Sequence, residues 1–237
     1  SASLAIITVI VLGIGAWVFL TSAFFAVREV RIEGSRSLPA EELRELAAIE
    51  MGDNLITLAT DGIEDRLESD PWILRAGVQR DLPQTVVITV VERRPAGWLD
   101  DPDGSAIVAG DGTVLERSPN PPERLPDLGS WPDALIPGHG IDELDGALRV
   151  TSSMAPSTLG LIEAVEVSGL DVTMSLRGGG EVVYGQATEI QAKNSALGDM
   201  LRWAREEGLA IKTIDVRVPS APSLAPAQGP ALSPTFS

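Results

Sequence analysis

The 237 residues contain no cysteine, which excludes disulfides, zinc–thiolate centres and thiol catalysis. Histidine occurs once, as His139 in Pro137-Gly138-His139-Gly140, with no second His or Cys to complete a metal site or a triad. Basic residues are scarce: Lys and Arg number 18 against 34 Asp and Glu, a formal charge of −16, and lysine is confined to Lys193 and Lys212. Such a balance excludes a nucleic-acid footprint, because phosphate binding needs clustered cations to displace counterions. It argues equally against electrostatic attachment to an anionic lipid surface. Gly-x-Ser-x-Gly, Ser-x-x-Lys and phosphate-binding loops are missing too, and with them the common routes to acyl and phosphoryl transfer. The acidic run at 100–104 has Leu99 where a calcium loop needs its first ligand, so it reads as a solvated turn. Gly178, Gly179 and Gly180 precede a strand rather than a helix, which makes them a hairpin turn and not an anion cradle. No catalytic residue, cofactor or metal is assigned.

What the chain does have is an uncharged start. Residues 4–20 read LAIITVIVLGIGAWVFL, and with residues 21–25 they give about 22 apolar positions, roughly 33 Å of helix, enough to span a bilayer. Trp17, Phe19, Phe24 and Phe25 put aromatics at one end, where rings favour the headgroup region. The alternative is a cleaved signal peptide with Thr21-Ser22-Ala23 as the processing site, although such cores are shorter and follow Lys or Arg. A cytoplasmic tail is expected to precede Ser1, so the positive-inside rule gives no orientation here.

Two modules follow. In the first, residues 27–33 alternate as a strand with Val30 and Ile32 on one face, and Gly34 ends it. Pro39 opens a helix in which Glu41 and Glu42 complement the dipole and Leu43, Leu46 and Ala47 share a face. A second helix is expected from Asp61 as its cap, with Ile63 and Leu67 four apart. Residues 73–80 and 85–92 are strands about a compact turn at 81–84. The order β-α-α-β-β makes a small sheet covered on one face by two helices, with Trp72 expected in its core. In the second module, strands are expected at 96–99, 107–109, 113–115, 164–167, 172–176, 181–184 and 211–218. Helices are expected at 141–154 and 189–207, with an irregular crossing over 118–140. From Pro219 onward the chain alternates Pro, Ala and Ser with little to pack; it reads as disordered, so removing residues 222–237 is expected to leave folding intact.

The first module carries Val30-x-Ile32-x-Gly34, Asn54-Leu55 with Asp61, Pro71-Trp72-Ile73, Arg80-x-Leu82-Pro83 and Glu92-Arg93-x-Pro95. The second carries Val108-x-x-Asp111-Gly112-x-Val114, Leu125-Pro126 with Leu128-Gly129, Gly185, Lys193 and Ile214-Asp215-Val216-Arg217. Over residues 24–219 the chain thereby resembles the FtsQ/DivIB family of bacterial cell-division proteins, with a POTRA domain followed by a β domain. The resemblance implies an α+β protein with a single N-terminal transmembrane helix at 1–25, a POTRA domain at 26–94, a mixed β domain at 95–218 and a disordered tail at 219–237.

The resemblance also implies a non-catalytic divisome scaffold, single-pass in the bacterial plasma membrane, its N-terminus cytoplasmic and its domains outside. FtsB- and FtsL-like proteins would bind the β domain, and other divisome proteins the POTRA domain and span, linking early and late division proteins and controlling septal peptidoglycan synthesis. Partner binding falls by resemblance on a strand near the C-terminus matched by Asp215, Val216, Arg217 and Val218. An edge strand there would offer unpaired backbone groups, and Arg217 a fork for a partner carboxylate. A solubilising role for Arg217 reads the same residues equally well. Two other functional classes stay open: an anchored cell-wall enzyme, and a POTRA-bearing chaperone or transport component.

Overall fold

The computed structural model describes residues 2–141 and 144–228, and the chain divides after Arg93 into two compact units. The first unit begins with α1 (Ala2–Leu20), then a 3₁₀ turn (Ala23–Phe25), β1 (Glu29–Glu33), α2 (Ala40–Ala47), α3 (Thr60–Glu68), β2 (Ile73–Asp81) and β3 (Thr85–Glu92). The helix stops at Leu20 instead of running to residue 25. Thr21 Oγ1 donates to Trp17 O at 2.9 Å and Ser22 Oγ to Phe19 O at 2.6 Å, the competition with the backbone ladder by which these hydroxyls end helices.

The three strands lie in the order β1-β3-β2, β1 parallel and β2 antiparallel to β3. Alternation sends Val30, Ala76, Val78, Val86, Ile88 and Val90 to one face, where Leu43, Ala47, Ile63 and Leu67 of α2 and α3 cover them. Asp61 is not the cap of α3: the cap is Ala59, without a side-chain bond, and Asp61 sits in the first turn at the positive end of the helix. Trp72 is half-buried and outside the core; its N–H donates to Asp70 and its carbonyl accepts from Arg93 N.

Glu92 ties the 35–38 loop to β3. Its carboxylate accepts the backbone N–H groups of Arg36, Ser37 and Leu38 at 2.8, 3.0 and 3.1 Å. Burial pushes the Glu92 carboxyl up, but those donors together outweigh it and hold the group below its ordinary value. Gly34 enters this loop at φ 87°, and a Cβ there would lie 2.3 Å from Val90 O, so only glycine fits.

The second unit contains β4 (Pro95–Asp101), β5 (Gly104–Ala109), β6 (Val114–Ser118), β7 (Asp127–Ser130), α4 (Asp145–Ser152), α5 (Pro156–Leu159), β8 (Ile162–Ser168), β9 (Asp171–Leu176), β10 (Glu181–Gln186), α6 (Ile190–Glu206), β11 (Ile211–Asp215) and β12 (Ser223–Pro226). Nine strands form one sheet in the order β12-β11-β10-β9-β8-β7-β4-β5-β6. The parallel β10–β11 pair is joined by α6 as a crossover helix. Leu197, Met200, Leu201 and Ala204 of α6 pack with Val172, Met174, Val182, Tyr184 and Ile214 of the sheet in one core. The expected helix at 141–154 is shorter, starting at Asp145; residues 142–143 lie outside the described residues.

Three further features of this unit differ from the sequence expectation. The irregular crossing contains β7, which bridges β4 and β8 by parallel pairing; Leu128 fits there because Gly97 of β4 has no side chain. Asp101 is no solvated turn residue. Its side chain is fully buried, taking Arg117 Nη1 and Nη2 at 2.8 and 2.7 Å, Leu135 N at 2.7 Å and Asp103 N at 2.9 Å. The third difference is β12, inside the segment read as a disordered tail. Leu224 is fully buried in the core and the strand pairs with β11 in register Asp215↔Ser223, Ile214↔Leu224 and Thr213↔Ala225. One apolar side chain at the right position overrides composition here. The rest of the expected tail, residues 229–237, lies outside the described residues.

Candidate functional site

The segment singled out in the sequence does not form a free edge. Asp215 ends β11 and is paired on both sides, with Val183 of β10 and Ser223 of β12. Val216 is buried and donates its N–H to Val183 O at 3.1 Å. From there the chain turns back, with Ala221 N bonded to Val218 O at 3.0 Å, and Val218 is exposed. Arg217 keeps its fork inside the chain: Nε and Nη2 grip the Asp215 carboxylate at 3.0 and 2.6 Å. The Arg217 guanidinium in turn holds the Asp215 carboxyl below its ordinary value, against burial.

Beneath this turn lies a buried polar brace. Lys193 on α6 donates from Nζ to the carbonyls of Gln186 and Tyr184 at 2.8 and 3.2 Å and sits 5.1 Å from the Tyr184 ring centroid. Tyr184 Oη donates to Asn194 Oδ1 at 3.0 Å, and Asn194 Nδ2 reaches Val150 O at 3.1 Å; burial pushes the phenol up. Gly185, at φ 71°, stands where a Cβ would meet Arg217 Cγ at 3.0 Å, so the β10 end and the Arg217 turn close on each other only around glycine. Every polar group of this brace is satisfied by the fold, which makes it a support and not a reaction centre.

Sheet edges are where the units differ in what they offer a partner. At one end of the large sheet, the start of β6 is covered by the following loop: Val114 N donates to His139 O at 2.9 Å and Gly138 N to Val114 O at 2.8 Å. In the first unit two outer amides of β2 are taken by α3, with Val78 N on Glu64 Oε1 at 2.7 Å and Ala76 N on Glu68 Oε1 at 2.9 Å. No sequence signal pointed to these two glutamates, which look like ordinary solvated helix residues. The other edge of that sheet, β1, alternates Glu29, Arg31 and Glu33, the charged pattern that discourages pairing. That leaves β12, which reads Ser-Leu-Ala-Pro without a charge and is the terminal strand of its sheet.

An apolar recess of about 210 Å³ lies between the β9–β10 hairpin and the end of α6, lined by Leu161, Leu176, Leu201, Leu209 and Ile211 with Arg205. Among the described residues no three His, Asp or Glu side chains gather as a metal site, and His139 is exposed with only its backbone engaged in the β6 cover.

Residues 25–93 match the family model of the FtsQ-type POTRA domain. Across nearly its whole length the chain is similar to cell division protein FtsQ of Mycolicibacterium smegmatis, 30% identical over 93% of this chain and 63% of that one. Residues 25–93 thus form an FtsQ-type POTRA domain, and the chain as a whole is similar to FtsQ proteins. FtsQ of Mycobacterium tuberculosis H37Rv is 29% identical over 92% of this chain and 66% of its own length. FtsQ of Streptomyces bingchenggensis is 26% identical over 88% and 79%. The chain spans about two thirds of the length of the mycobacterial relatives it matches. The major extracytoplasmic domain of DivIB from Geobacillus stearothermophilus superposes with a TM-score of 0.35 at 17% identity, over 48% of this chain and 92% of that one, too loosely to bear on the site. α1 with the turn after it, Ile6–Phe25, is long and apolar enough to cross a membrane, and residues 6–20 are exposed throughout.

Proposed function

We propose that this chain is a non-catalytic divisome scaffold, held in the bacterial plasma membrane by α1 with its N-terminus cytoplasmic, whose β domain binds FtsB- and FtsL-like proteins by strand addition. Other division proteins are reached through the POTRA domain and the span, and the assembly controls septal peptidoglycan synthesis.

The observation that carries this reading is the edge inventory: β12 is uncharged and, among the described residues, uncovered, while β6 is covered at its start, β2 is capped at two amides by α3 and β1 is charged. Strand addition supplies affinity through backbone bonds and specificity through alternate side chains. Pro222 precedes β12 and Pro226 ends it, and proline has no amide to donate. The partner strand is therefore short, and its side chains must add contacts beyond the ladder. Val218 and the exposed face of Arg217, on the turn that leads into β12, are the residues assigned to those contacts, with Asp215 and Val216 holding the turn in place. The partner site of Asp215, Val216, Arg217 and Val218 is thus moved one strand outward. Arg217→Glu is a poor test of it, because the new carboxylate would face Asp215 and disturb the turn itself.

Affinity capture of the full chain from membranes, with partners identified by mass, tests the reading. It should return FtsB- and FtsL-like proteins; a chain acting alone on the cell wall would return no division protein.

A further inference from the structure

The join between α1 and the POTRA domain carries an apolar collar. Two loops flank the chain as it leaves the helix. Asn54 Nδ2 caps α1 by donating to Leu20 O at 2.9 Å, while its Oδ1 accepts from Ile56 N at 3.0 Å. Beside it, Val27 N bonds to Asp53 O at 2.8 Å, Gly52 N to Val27 O at 2.9 Å and Leu55 N to Phe25 O at 2.8 Å. From the other side, Gln84 O accepts Arg28 N at 2.9 Å and Gln84 Nε2 reaches Phe24 O at 3.2 Å. Both loops are thereby bonded to residues 20–28, the stretch that emerges from the span.

Each loop presents a large apolar side chain outward. Met51 is 63% exposed, Leu82 57% and Phe24, on the stretch to which both loops are bonded, 53%. Gly52 is bonded to Val27, which is three residues past Phe24 and so within about 10 Å of it along extended chain. Phe24 itself stacks on Phe19 of α1 with ring centroids 5.7 Å apart.

We propose that Met51, Leu82 and Phe24 are a membrane-seating collar that dips into the headgroup–acyl boundary of the leaflet from which α1 emerges, fixing the POTRA domain against the bilayer. The inference rests on α1 spanning the membrane. The occupant is lipid because the collar continues an apolar surface that already needs lipid: residues 6–20 of α1 are exposed throughout. The charges nearest to it in sequence are mixed, Arg28 and Arg80 against Glu50, Asp53 and Asp81, so the seat depends on apolar burial and not on lipid charge. It needs no basic patch, in keeping with the chain's acidic balance.

Because the chain has no cysteine, single-cysteine variants carrying an environment-sensitive fluorophore report depth cleanly. Met51→Cys, Leu82→Cys, Ile10→Cys in α1 and Glu41→Cys at the start of α2 are each placed in the full chain. They are reconstituted in phosphatidylcholine vesicles containing nitroxide lipids, spin-labelled either at the headgroup or deep in the acyl chain. Ile10 should be quenched by the deep probe and Glu41 by neither. Labels at 51 and 82 should lose about half their emission to the shallow probe, as expected for side chains buried roughly 5–10 Å at the boundary, and equally in an equal mixture with phosphatidylglycerol. If Ile10 is quenched while 51 and 82 behave like Glu41, the collar is overturned and the span stands. If Ile10 is not quenched, the span reading fails and the collar with it. Quenching at 51 and 82 only with phosphatidylglycerol overturns the apolar seat.

Discussion

Removal of residues 222–237 should lower the melting temperature of the β domain by roughly 10 °C, the outcome opposite to the one composition suggests. The deletion takes away Leu224, which has no exposed surface, and large-to-small losses at such sites cost about 2–5 kcal/mol. It also strips β11 of its outer neighbour, since Ile211, Thr213, Ile214 and Asp215 all pair with β12. Leu224→Ala isolates the packing contribution: about 3 kcal/mol, or roughly 6–12 °C, from one side chain. Thermal melts of the two variants give the check. An unchanged midpoint in both would mean that β12 is not part of the cooperative fold, and the edge assigned to partner binding would revert to β11.

Asp101→Asn should have an effect of comparable size, and one that depends on pH. The carboxylate is enclosed, and it holds Arg117 together with the backbone of Leu135, whose segment crosses the open end of the sheet. Breaking one partner of a buried ion pair costs about 3–5 kcal/mol; Arg117 keeps some solvent contact, which places the expectation at the lower end, a melting temperature roughly 10 °C lower. The Arg117 guanidinium, helped by the N–H groups of Leu135 and Asp103, holds the Asp101 carboxyl at about 2, against 3.8 ordinarily, although burial works the other way. A folded-state value below the unfolded one means that the unfolded chain binds the proton more tightly. The stabilisation is therefore complete above about pH 4 and is lost as pH falls toward 2. The gap between native chain and variant should be constant from neutral pH to about pH 4 and narrow below it. A gap that did not narrow in acid would assign the effect to packing and not to the ion pair.

Periodic residues made the POTRA half legible. Val86, Ile88 and Val90 alternate against Val87, Thr89 and Val91, and β3 runs over the expected residues. Leu43 with Ala47 and Ile63 with Leu67 keep helical spacing, and α2 and α3 cover the sheet with those side chains. Failures cluster where one tertiary contact decides the matter. Asp127-Leu128-Gly129-Ser130 has no alternation and follows a proline, yet Leu128 drops against Gly97 and a strand forms between two others. Ser223-Leu224-Ala225-Pro226 has the composition of a loose tail, and only the pocket waiting for Leu224 makes it a strand. Asp101 stood among four acidic and turn-forming neighbours; its partner Arg117 is sixteen residues away, beyond the reach of local pattern. The sheet edge is misread for the same reason: with β12 unseen, β11 is the last strand, and Arg217 looks free when Asp215 holds it.

The scaffold account turns on β12, and residue-resolved hydrogen exchange of the full chain in vesicles, with and without its FtsB- and FtsL-like partners, tests it most directly. Amides of β12 that face away from β11 have no partner strand among the described residues and should exchange readily in the chain alone. On complex formation they should slow by about tenfold or more, as backbone bonds to an added strand form, while the β2 amides already held by Glu64 and Glu68 stay as they were. Saturating partner with unchanged exchange in β12, and new protection confined to β1 or to α2 and α3, would contradict the account and move the binding surface to the POTRA domain.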